Sequence, residues 1–258
     1  MISNVQVGVG PSIDSPFFCF GLGSCFVAHL EESMHSWGIP YSYNPLGTSF
    51  NPISIAQQLR WIFDENYVLS PFCQHHGDIH ALFAANSFQS TDKEVLSQRI
   101  DNVRSALLNS WKDSPNGGLI VVSLGTAHAW EMDSIIVNNC HKLPSELFRR
   151  RILSISEIAT VWKKVLPYIP EHIHLVYTVS PVRYTKMGLH ENFKGKSVLR
   201  LAIEELLELR ENSTYFPSYE IITDELRDYS FYESNGTHPN KKAVKVVMER
   251  FKTFLPLK

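Results

Sequence analysis

The stretch Phe17-Phe18-Cys19-Phe20-Gly21-Leu22-Gly23-Ser24-Cys25-Phe26-Val27 decides how the chain is read. Residues 17–22 form a short apolar run, and from Phe26 onward Leu30, Met34 and Trp37 recur at helical spacing. The glycines between them permit a sharp reversal, so the segment reads as strand, tight turn and helix. The order then repeats. Residues 39–43 form a second predicted strand, Asn44-Pro45-Leu46-Gly47 a turn, and Ile55, Leu59, Ile62 and Phe63 one side of a second helix.

Downstream, residues 64–90 carry histidines and aromatics without a clean period, which predicts a surface insertion. Thr91 and Glu94 have capping-box spacing, and Leu96, Ile100, Val103, Leu107 and Trp111 continue the segment as an amphipathic helix that Pro115-Asn116-Gly117-Gly118 ends. Residues 119–124 are apolar apart from Ser123, as a strand covered on both faces should be. Ser154 and Glu157 repeat the capping-box spacing ahead of Ile158, Val161, Trp162 and Val165. Strands are predicted over 173–179, stopped by Ser180-Pro181, and over 219–222. A Leu- and Glu-rich helix is predicted over 197–210, and a last helix with Pro239 near its first turn. Five strands interleaved with helices predict an α/β fold: a doubly wound, flavodoxin-like three-layer sandwich with a mainly parallel five-stranded sheet, in one domain over 1–258.

Bulk properties narrow the function. The 258 residues are 44% hydrophobic and 19% charged, the balance of an ordinary globular domain. Lys and Arg number 24 against 26 Asp and Glu, and a net charge of -2 exerts no broad pull on phosphate backbones, so nucleic acid is not an expected partner. Arg149-Arg150-Arg151 and Lys241-Lys242 read as solvated helical faces without functional weight. Cys19, Cys25, Cys73 and Cys140 form no CxxC pair, which suits a reducing compartment. The first residues lack a basic and then apolar leader, and no apolar run reaches membrane-spanning length. A cytoplasmic protein without membrane partners is expected; oligomeric state has no signal in the sequence.

In open parallel sheets ligands bind beyond the carboxyl ends of the strands, where helix N-termini present free N–H groups, so residues that follow strands are the candidates. Ser24 is the first: it stands where a helix begins, either as a nucleophile beside an oxyanion-stabilising N-terminus or simply as an N-cap. Cys25 is a rival nucleophile that can equally be packing. His238, in the loop Asn235-Gly236-Thr237-His238-Pro239, can reach back over the strand ends as general base for Ser24. Gly47 lets backbone N–H groups approach a ligand, while Thr126, His128 and Asn138 or Asn139 are possible oxyanion donors. Ser180-Pro181-Val182-Arg183 offers a cleft wall and a charge, or a capped turn. His75-His76-Gly77-Asp78-Ile79-His80 has metal-binding residue types, but adjacent histidines chelate one ion poorly and no second cluster completes a set; neither metal nor cofactor is expected.

Gly23-Ser24-Cys25-Phe26-Val27 resembles the Gly-Ser-Cys-Phe-Ala signature of the GSCFA family, a group similar to SGNH, or GDSL-like, hydrolases. The resemblance extends in order through Asn44-Pro45-Leu46-Gly47, Gly125-Thr126-Ala127, Asn139-Cys140-His141-Lys142, Thr178-Val179-Ser180-Pro181-Val182-Arg183, residues 215–220, residues 224–228 and His238-Pro239. It implies an SGNH layout: Ser24 attacks an acyl carbonyl, the N–H groups of Ser24 and Gly47 hold the oxyanion, and His238 shuttles the proton. Two positions depart from that pattern. Asn235 stands where an Asp three residues before the His would orient the imidazole, with Glu233 and Asp228 as alternative carboxylates. Gly125-Thr126-Ala127-His128 replaces the usual Gly-x-Asn-Asp, so the side-chain oxyanion donor is Asn139 first, then Thr126 or His128. The function implied is a serine esterase acting on a short acyl, such as acetyl, ester of a small molecule or glycan. The alternatives are an O-acyltransferase using the same site and a catalytically weak relative that binds a glycan or protein through Trp61, Phe63, Tyr67, Phe72 and Phe83.

Overall fold

The computed structural model describes residues 4–12, 17–112 and 117–255; Pro115 and Asn116 of the expected helix stop lie outside them. Five parallel strands form the central sheet in the order β2 (Tyr41–Tyr43), β1 (Phe18–Gly23), β6 (Gly118–Leu124), β10 (Ile173–Val179), β11 (Ser213–Tyr215). This is the doubly wound, flavodoxin-like order, and its direction reverses between β1 and β6.

Strand periodicity sends alternate side chains to opposite faces, and here each face is a core of its own. Phe18, Phe20 and Leu22 of β1, with Ile120 and Val122 of β6, pack against α2 (Pro52–Phe63), α3 (Lys93–Lys112), α4 (Ile155–Val165) and α5 (Gly188–Leu209). Cys19, Leu119, Val121 and Val176 face the other way, onto α1 (Cys25–Ser36) and α7 (Lys241–Phe254). The α4 capping box forms as its spacing predicts, with both reciprocal bonds between Ser154 and Glu157. Among the described residues no helix is long and apolar enough to cross a membrane.

Three expectations need correction. Residues 219–222 are not a strand: Ser218 donates to the Val179 carbonyl and the chain turns through α6 (Ser218–Glu220) and a π-turn, Ile221–Glu225, burying Ile221 and Ile222. A four-residue segment with three apolar side chains fits either element, and the fifth strand is instead the edge strand β11. Residues 64–90 are not an irregular surface insertion. They contain the antiparallel sheet β3 (Phe72–His75), β4 (Asp78–Ala81) and β5 (Gln89–Ser90), and they bury Leu69, Phe83 and Phe88 in the main core. Trp61 and Phe83 are core residues, with Phe63, Tyr67 and Phe72 packed against them, so these aromatics do not form a binding face. Finally, Arg149–Ile152 is strand β9, not a helical face, in a second antiparallel sheet with β7 (His128–Met132) and β8 (Ile135–Val137). Because β7 leaves directly from the end of β6, this small sheet stands over the carboxyl ends of the central strands.

Candidate active site

The join between β1 and α1 is fixed by backbone geometry. Gly23 has φ +129°, and an added Cβ would collide with the Ser123 carbonyl oxygen on β6. Asn44 holds the same glycine on both sides, accepting from its N–H at 2.9 Å and donating to its carbonyl at 3.0 Å. Ser24 follows as the N-cap of α1. Its Oγ accepts from the Phe26 N–H and bonds Ser123 Oγ at 2.7 Å, its N–H donates to the Ser123 carbonyl, and the residue is 1% exposed. Its hydroxyl therefore satisfies a helix terminus and ties β1 to β6.

The residue of this turn that lines a cavity is Cys25. It lines a pocket of about 20 Å³ together with His29, one helical turn further on, and His238, among the apolar side chains of Phe26, Val182, Ile222, Val247 and Met248. Burial pushes the Cys25 thiol above its ordinary range, while its own backbone N–H and the charge of Lys196 pull the other way. His29 is held below its ordinary value, first by burial and then by the neighbouring His238, with Glu233 opposing.

His238 sits on an exposed loop with several anchors. Its carbonyl accepts from the Glu233 N–H at 2.8 Å, the Thr237 carbonyl accepts from the Arg183 N–H at 3.0 Å, and Asn240 caps α7 just beyond. Asn235 does not bond the imidazole: its Oδ1 accepts from the Thr237 N–H at 2.8 Å, closing its own turn.

Lys196, which sequence reasoning missed, lines neither that pocket nor the cleft beyond His238 but lies buried behind the strand ends that carry the site. It is 3% exposed on α5, and its Nζ donates at 2.6 Å to the carbonyls of both Gly125 and Ser180, the residues that follow β6 and β10. Burial pushes its pKa down to about 7, against the pull of Cys25. A signal existed: Asn192, Gly195, Lys196, Leu199, Ala202, Ile203 and Leu206 form the buried stripe of α5, so this lysine occupies a core position of the helical period.

A larger cleft of about 500 Å³ adjoins on the other side of His238, and Thr126, His128, Asn138, Arg150, Arg183 and Trp130 are among its lining. Thr126 Oγ1 accepts from the His128 N–H, and His128 Nε2 bonds Glu191 at 3.2 Å. Gly47 and Asn139 line neither space. The Gly47 N–H donates to the Asn44 carbonyl, and Asn139 Oδ1 accepts from the His141 N–H. Of the expected residues, the structure thus brings together the Ser24–Cys25 turn, His238, Thr126 and His128. Among the described residues no group of three His, Cys, Asp or Glu side chains is placed to hold a metal ion. His80 of the histidine-rich segment is buried against His141, with ring centroids 5.4 Å apart.

Comparison with known sequences gives one finding: the profile of the GSCFA family matches residues 19–251, nearly the whole chain. No curated protein matches.

Proposed function

The chain belongs to the GSCFA family, and from that premise we propose that it is an esterase working through a covalent acyl intermediate, with Cys25 as the attacking group and His238 as the proton shuttle. One observation carries the choice: Cys25 shares a pocket with His238 and His29, whereas the Ser24 hydroxyl is buried in the cap of α1. The thiol gives its proton to the imidazole as sulfur attacks the acyl carbonyl. The tetrahedral oxyanion forms at the N-terminus of α1, where the Cys25 N–H and the Lys196 charge favour negative charge. Its collapse releases the alcohol, which takes the proton from the imidazolium and leaves a thioester. Water, deprotonated by the same imidazole, then attacks the thioester and releases the acid and the thiol.

Pocket size argues for a short acyl group. A cavity needs roughly 10–15 Å³ to admit one water. At about 20 Å³ the apolar pocket beside Cys25 suits an acetyl methyl group, and the alcohol, a small molecule or a glycan, would extend into the larger cleft.

Turnover of 4-nitrophenyl acetate by Cys25→Ala and Ser24→Ala tests the assignment. Cys25→Ala should lose at least about 100-fold in kcat, as loss of a nucleophile does. Ser24→Ala should keep turnover and lose about 1 kcal/mol of stability through its missing cap. The reverse pattern would make Ser24 the nucleophile; an inactive wild type would end the enzyme reading.

A further inference from the structure

We propose that the larger cleft recognises its substrate through an anionic group, a carboxylate or a phosphate, gripped by Arg150 and Arg183; this rests on the active-site reading above. Arg150, Arg183, Lys186 and His128 line the cleft and no Asp or Glu does, although the chain as a whole carries a net charge of -2. The positive character is therefore local.

Both guanidinium groups are fixed by aromatic rings rather than by carboxylates. Arg150 Cζ lies 4.7 Å from the Tyr184 ring centroid and 5.5 Å from that of Trp130. Arg183 Cζ lies 4.3 Å from Tyr232 and 4.9 Å from Tyr229. The ring contacts order both side chains; Arg183 also hydrogen-bonds Tyr229, and the guanidinium N–H groups left over on the two arginines are donors for a planar or tetrahedral oxyanion.

Neither arginine forms an ion pair with a described carboxylate. The adjacent Arg151 does the opposite: it pairs with Glu131 at 2.6 Å and with Glu157 at 2.5 Å, on strand and helix. Glu191, outside the lining, bonds His128 and lies 3.8 Å from Lys194. Two half-buried arginines that no described carboxylate neutralises leave the cleft with an unbalanced positive charge that an anionic group would complement. Their placement also connects them to the chemistry. The Arg183 N–H bonds the Thr237 carbonyl, one residue before His238, so an anion held there sits beside the loop that carries the proton shuttle.

Three aryl acetates differing in one substituent test this: 4-acetoxybenzoate, 4-acetoxyphenyl phosphate and the neutral 4-acetoxybenzamide. Binding is measured by titration calorimetry on Cys25→Ala, so the result stands whether or not the wild type turns over. At least one anion should bind about tenfold or more tightly than the amide, the scale of a hydrogen bond to a charged group. The tighter of the two identifies the group, and the preference should shrink as salt is raised. Adding Arg183→Met or Arg150→Met should bring the ratio close to one. Arg183→Lys, which keeps the charge and loses the fork, should recover part of it. Equal affinity for all three probes, or a preference that survives both Met substitutions in protein with an unchanged melting profile, would overturn the proposal. Failure of turnover with intact anion selectivity would instead count against the esterase reading alone.

Discussion

Ser24 and Cys25 are adjacent, and each has a plausible nucleophile, yet the backbone gives them different work. The N-cap position turns the Ser24 hydroxyl toward the Phe26 N–H, and the first helical position puts Cys25 in the lining of the pocket. Lys196 then supplies a buried positive charge near a group that needs to become negative. Its pKa falls from 10.5 when free to about 7 in the fold because burial disfavours the ammonium. A depressed basic group binds fewer protons in the native state than in the unfolded one between those values, so its contribution to stability is complete above about 10.5 and is lost as pH falls to about 7. Lys196 should therefore add a rise in unfolding free energy with pH across this window, by up to about 1.4 kcal/mol per pH unit, which Lys196→Met should abolish; the raised thiols of Cys19, Cys25 and Cys140 act the other way at the alkaline end, so the component is read as the difference between the two proteins. Urea titrations from pH 6 to 10 on both proteins check it, and parallel slopes would contradict the assignment.

At the scale of elements, the decisive unit is the β1–α1 turn. Gly23→Ala forces a side chain into φ +129° and against the Ser123 carbonyl, so it should cost about 2–4 kcal/mol and separate the ends of β1 and β6, seen as a lowered denaturation midpoint. A cost below about 1 kcal/mol would mean that the turn relaxes easily. How legible the elements were follows from their burial. β1, β6 and β10 are covered on both faces, and a strand in that setting is mostly apolar, interrupted here only by Ser123, His174 and Thr178, so all three stand out in the sequence. The edge strand β11, Ser213–Tyr215, is half-buried and three residues long, too short for any period. The small sheets escape for a related reason: β3 and β4 mix polar and apolar residues and take their order from pairing rather than from pattern. Within the site, the order strand–glycine turn–helix was readable, and with it the neighbourhood of Ser24, Cys25 and His238. Which of the first two faces the cavity was not, because it depends on one dihedral setting at the cap. Arg183 was legible as a possible cleft charge after β10, whereas Arg150 read as part of a solvated face; the aromatic partners of both, Trp130 and Tyr184, Tyr229 and Tyr232, are brought together only by tertiary packing.

The molecule as a whole assembles the site from segments far apart in sequence. Cys25 and His29 arrive on α1, His238 on the loop before α7, and these helices share the same face of the sheet. What presses them together is an aromatic cluster: Phe251 of α7 lies edge-on to Phe216 at 4.8 Å and to Phe26 at 6.3 Å, and Phe254 packs beside them. Phe26 follows the nucleophile candidate by one residue, so the cluster is at once core and site support. Phe251 is fully buried, and Phe251→Ala should cost about 3–5 kcal/mol from lost burial and the cavity left behind. Phe251→Leu keeps most of the volume and should cost about 1.5 kcal/mol or less, leaving a folded protein in which α7 is less firmly seated. In that milder variant kcat should fall by a larger factor than the rise in KM, because the displacement separates His238 from Cys25 while most of the cleft wall, from β7, β9 and residues 180–186, stays in place. Steady-state kinetics beside a urea titration distinguish the two effects. A Phe251→Leu protein with reduced stability and unchanged kcat would show that the His238 loop is positioned by its own turn and by Arg183 and Asn240, independently of the helix that follows it.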